Sequence, residues 1–313
     1  MTRKSKWEGM ESAPQWIFLF LGAYSIVHLL VLYLWHAAGL VFPMQGSSDS
    51  TSALSVTAMA AVGLWLCLAV LRSFPAGSPL RPAWMLITLA AEAQAVSGVV
   101  AHLLGSNWLL NPLVWAGPAR FGLIEHIRHT ASIAGGPVRL AVLVAALLAL
   151  LRALRKFGFW VRPTATDWAM CGVVCLFTLC RFAEAGAAAL AGRRIGLEEW
   201  ISLAGLPILC VLFLEAMLLR RSILHMGNGL IAKGFLALVY GILLTAAGEA
   251  VLWAIPHYSQ MPPLAMVGTL MQLLIAAAFA LVPAYQVAAQ RRAIDPPASQ
   301  PEDLATGVPA LAR

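Results

Sequence analysis

The sequence predicts an all-α fold: a polytopic integral membrane bundle of about eight transmembrane helices, N-in/C-in, with an interfacial or re-entrant segment between helices 3 and 4. Three observations carry that prediction. Of 313 residues, 60% are hydrophobic and only 11% are charged, and the mean hydropathy is +0.80, a composition far more apolar than a water-soluble core of this length needs. Apolar runs long enough to cross a hydrocarbon core recur along the whole chain. The basic residues are distributed unevenly between alternate connecting segments, as orientation in a membrane requires.

In chain order the apolar windows fall at 16–42, 53–72, 83–105, 137–155, 166–191, 200–219, 230–254 and 264–288. With a cytoplasmic N-terminus, fifteen Lys and Arg residues lie on the inner segments and five on the outer ones, with Arg181 left inside a span. The net charge of +7 is thus accounted for by topology, and nucleic acid is excluded as a partner. Trp16, Trp84 and Trp168 stand at inner helix starts and Trp108, Trp200 and Trp253 at outer ends, where amphipathic rings settle at the headgroups. The first window is too long for the apolar core of a signal peptide and reads as a retained helix.

This divides the chain into a cytoplasmic N-terminal segment 1–15, a transmembrane helical domain 16–292 and a disordered, proline-rich cytoplasmic tail 293–313. Residues 106–136 are too many for a simple connector, and the apolar part of NWLLNPLVWAG is too short to cross. FGLIEHIRHTASIAGG then reads as an amphipathic interfacial helix ended by Gly135, Gly136 and Pro137. The five cysteines all fall inside spans, where small apolar packing is their expected role.

Ionisable residues inside spans are the candidates for function, because they are costly unless they line an interior or find a partner. Glutamate recurs between small residues in AAEAQ (Glu92), FAEAG (Glu184) and AGEAV (Glu249), on helices running the same way. That pattern hints at a parallel duplication of four helices plus four. These glutamates are expected to face the bundle interior. Arg181 and Glu184, three apart on one helix, are spaced to pair. Gly98, Gly186, Gly241 and Gly248 allow close packing or bending, and Pro207 is placed to break helix 6. Glu215 lies near an inner helix end, within reach of the headgroups. Grouped by depth, Glu92, Gln94, Arg181, Glu184 and Glu249 outline an outward-facing polar pocket, with Glu125, His126 and His129 at its entrance.

Such a pocket points to a permease-like or ligand-binding protein for a small solute or cation. The alternative is a b-type haem or divalent-metal redox protein: His36 and His102 lie on parallel helices at similar depth, as two axial ligands would, with His28 able to replace either. With the EHIRH cluster, this resembles haem A synthases, eight-helix proteins with glutamate and histidine near outer helix starts. The resemblance covers only a few residues, and spans five to eight lack that family's second-half histidines, so its activity is not implied. A third reading is a sensory module acting through a separate protein partner. No HExxH, nucleophile elbow, paired aspartates or phosphate loop is present, so no catalytic residue is assigned and an enzyme is the least expected class. The expected partners are the lipid bilayer, the solute or cation, and a protein partner or homo-oligomer. The expected location is a cell membrane of the bacterial inner-membrane type.

Overall fold

The computed structural model describes residues 12–37, 48–105, 118–159, 161–226, 229–254 and 262–294. Within these, side chains at 28–29, 31–37, 48–54, 97–105, 118–135, 197–198, 202, 249, 251–254, 262–269 and 293–294 lie outside the description. The described residues form helices and no strand: α1 (Ala13–Ala37), α2 (Ser48–Ser73), α3 (Arg81–Gly105), α4 (Pro118–Lys156), α5 (Ala165–Leu190), α6 (Leu197–Leu224), α7 (Leu230–Ala254) and α8 (Pro262–Ile294). Six of them are long and apolar enough to cross a membrane, over Ser55–Ser73, Gly136–Lys156, Ala165–Leu190, Glu199–Leu224, Leu230–Gly248 and Leu270–Arg292. The chain is therefore compatible with a multi-pass membrane protein.

Local chemistry sets several helix ends. At the start of α5 the Thr164 N–H donates to Asp167 Oδ2 at 2.8 Å, satisfying a donor that no helical carbonyl can reach. At the ends of α4 and α5 the chain turns through Gly158 and Gly192, both at φ +83°. In each case the next N–H reaches back to the helix, Phe159 to Leu154 O and Arg193 to Ala188 O, both at 3.0 Å. This closure needs a left-handed residue, which glycine supplies without strain.

The sequence placed a helix end at Gly135, Gly136 and Pro137, but α4 runs unbroken through all three. Pro137 removes one backbone hydrogen bond and would favour a break in water. Here α6 packs onto it: a Cβ on Gly205 would lie 3.5 Å from Pro137 Cγ, and a helix supported by its neighbour in this way tolerates proline. Pro207 likewise lies inside α6 without ending it.

Helix neighbours define a closed ring in the order α2, α3, α4, α6, α7, α8 and back to α2. Outside it, α1 packs on α8 and α5 on α6. Exchanging α2, α3, α4 with α6, α7, α8 maps this ring onto itself, as it would any closed ring of six, and the outer helices break the exchange a duplication would require, α1 packing on α8 and α5 on α6. The glutamates do not follow it, since Glu92 stands eleven residues after the start of α3 and Glu249 nineteen after the start of α7.

One continuous core, rich in leucine and alanine, joins the ring helices. Glycines set the closest approaches: a Cβ on Gly63 would lie 3.3 Å from Ala280 Cα. On α7, Gly234, Gly241 and Gly248 come every seventh residue, and a Cβ added at each would meet α8 at Val282 O (3.1 Å), Phe279 (3.4 Å) and Met271 Sδ (3.3 Å). Gly241 and Gly248 thus serve close packing, whereas a Cβ added at Gly186 would meet no neighbouring helix within 4 Å. The Trp84 ring is buried in the bundle rather than presented at its surface. It is 1% exposed and stacks on Phe74 with centroids 6.3 Å apart, while Trp16, Trp168 and Trp200 are exposed.

Candidate solute cavity

A cavity of about 40 Å³ lies inside the ring, bordered by α2, α3, α4, α7 and α8. On α3 the residues facing it are Ile87, Ala90, Ala91 and Gln94, one stripe at helical spacing. From α4 come Arg139 and Leu143, one turn apart, and from α2 the small residues Ala60 and Gly63. Among the described lining residues only Gln94 and Arg139 are polar. The volume holds a few water molecules or the polar end of a small solute. The amide offers donor and acceptor, and the guanidinium a fork of donors that matches a carboxylate or carbonyl group. The remaining wall is hydrocarbon.

Of the residues singled out from sequence, Gln94 alone is brought to this cavity among those whose side chains are described. Glu92 is exposed, on the outward face of α3 with Met85, Leu89 and Val96. Arg181 and Glu184 do pair, Nη1 to Oε2 at 2.8 Å, but at 32% and 52% exposure on the outer side of α5. Neither place is the bundle interior expected for them. His28 and His36 belong to α1, His102 to α3, Glu125, His126 and His129 to α4, and Glu249 to α7, with all seven side chains outside the described residues. Among the described residues no cluster of three or more His, Cys, Asp or Glu is set to hold a metal ion.

Three features escaped sequence reasoning. Arg139, one of the five outer positive charges, lies two residues beyond Pro137 at the head of an apolar run and so had a signal as an intramembrane cation. Asp167, 3% exposed, forms an ion pair with Arg221 of α6, and Arg221 also hydrogen-bonds Thr164. This clasp fastens the start of α5 to the end of α6, and the T-x-x-D spacing from Thr164 to Asp167 was its sequence signal. Glu215, expected to reach the headgroups, is instead 4% exposed, and among the described residues neither carboxyl oxygen has a hydrogen-bond partner.

The cysteines behave mainly as packing residues where they are buried. Cys67 and Cys171 are 2% and 7% exposed, and Cys210 Sγ lies 3.1 Å from Thr178 Oγ1. Cys175 and Cys180 are exposed. Comparison of the chain with protein-family models, with curated proteins and with solved structures gives no match. Function therefore rests on the geometry alone.

Proposed function

We propose that this is a permease-like membrane protein that binds a small solute with a carboxylate, carbonyl or amide group and an apolar body. One observation supports it: an apolar cavity inside the helix ring whose only described polar side chains are Gln94 and Arg139. A cation is the less favoured cargo, because no described carboxylate lines the cavity. The basic residues favour a chain with both termini on the cytoplasmic side of a cell membrane, crossing about eight times.

The test is a binding screen on protein in lipid nanodiscs, using short carboxylates and amides. Gln94→Leu and Arg139→Met should each weaken a hit by about tenfold or more, the equivalent of about 1.4 kcal/mol. Glu92→Gln should leave affinity unchanged. Loss of binding in Glu92→Gln with no effect at Gln94 or Arg139 would move the site elsewhere. A Soret absorption band that vanishes in His36→Ala or His102→Ala would replace this reading with the haem one.

A further inference from the structure

We infer that Glu215 is a proton-binding site of the bundle, a carboxylic acid kept neutral within α6 and able to exchange its proton when the helices part. Its use in coupling solute movement to a proton gradient rests on the permease-like reading. The proton site itself does not.

The side chain is 4% exposed, and among the described residues both of its oxygens lack a hydrogen-bond partner. It lies within the apolar stretch Glu199–Leu224, ten residues beyond Gly205 and so about 15 Å along the helix from the Pro137 contact. Leu212, Leu219 and Ser222 share its face of α6, and all three are buried. Ser222 does not serve it, because that hydroxyl donates to Leu218 O at 3.1 Å. A carboxylate in such a place would carry a large desolvation penalty with nothing to offset it. The neutral acid avoids that penalty.

No described charge offsets it from the neighbouring helices either. α6 packs against α4, α5 and α7. On α4, Arg139 lines the cavity and Arg152, Arg155 and Lys156 are exposed. On α5, Asp167 is held by Arg221 and Glu184 by Arg181, Cys175 and Cys180 are exposed, and Cys171 packs with Phe213 and Met217 on another face of α6. On α7, Lys233 and Tyr240 are exposed. On α6 itself Arg220 is exposed, Glu199 is paired with Arg193, Cys210 meets Thr178, and His225 lies against Arg221 O.

The step is simple: the acid O–H breaks, its electron pair stays on the carboxylate, and the proton passes to a water molecule admitted when α6 separates from its neighbours. Closure then requires reprotonation. An intramembrane carboxyl in this setting behaves as a carrier rather than a fixed charge.

Infrared spectroscopy of the full-length protein in lipid, at neutral pH, decides the matter without any solute. The expected result is a neutral-acid carbonyl band that is lost in Glu215→Gln, retained in Glu92→Gln and Glu215→Asp, and shifted after incubation in D₂O. An unchanged band in Glu215→Gln would show that Glu215 is ionised and overturn the inference. A band that is lost in Glu215→Gln but never shifts in D₂O would mark a sealed structural acid, and would overturn proton exchange. Failure of the solute screen would leave both infrared outcomes readable.

Discussion

Helices α5 and α6 are adjacent, similar in length and both apolar enough to cross a membrane, yet 11% of the α5 segment is buried against 53% of α6. Their polar groups differ in the opposite sense. α5 displays a paired Arg181 and Glu184 on its exposed side, whereas α6 hides an unpartnered Glu215. In a bilayer, apolar surface is as well solvated by lipid tails as by other side chains, so hydropathy reports the medium and not the packing. What distinguishes the inner helix is contact on several sides. α6 touches α4, α5 and α7, and α5 touches α6.

That contrast is most directly broken by truncating leucines. Leu212→Ala, at a position 0% exposed, should cost on the order of 2 kcal/mol through the cavity it leaves. Leu179→Ala, at a position 65% exposed, should change stability by less than about 0.5 kcal/mol. Denaturant titration of protein in mixed micelles measures both, and equal losses would mean that α5 is as enclosed as α6. The buried carboxyl sharpens the contrast next. Glu215→Leu removes an unsatisfied polar group and should stabilise by about 1 kcal/mol in the same titration, and destabilisation would reveal a partner that holds it. The smallest effect belongs to the exposed pair. A double-mutant cycle with Arg181→Met and Glu184→Gln should give a coupling of about 0.2–1 kcal/mol, and a much larger value would show that the pair is covered in the membrane.

Part of this was legible in the sequence, for physical reasons. Each described helix overlaps one apolar window, because length and apolarity are local properties. The three-residue spacing of Arg181 and Glu184 predicted their pairing, because helix geometry alone brings them together. Rotation about the helix axis was not legible. Glu92 and Gln94 are two residues apart, hence about 200° around the helix, and only one of them can face inward. In a soluble protein a polar face would have chosen; here hydrocarbon lies on both sides. The same ambiguity hid Trp84 in the core and left Glu215 looking like a headgroup contact. The glycines and Pro137 within α4 misled for another reason: their helix-ending tendency is local, while the α6 surface that overrides it comes from far along the chain.

The ring has a consequence for biosynthesis. Gly63 and Ala280, which meet where α2 closes on α8, are separated by most of the polypeptide. A chain that folds as it emerges can assemble α2, α3 and α4 early, but it must leave one flank of α2 uncovered until α8 arrives. The cavity, which takes walls from both α2 and α8, is therefore completed only after α8 has emerged. A chain released before α8 has no seam there to close, and so no complete cavity wall.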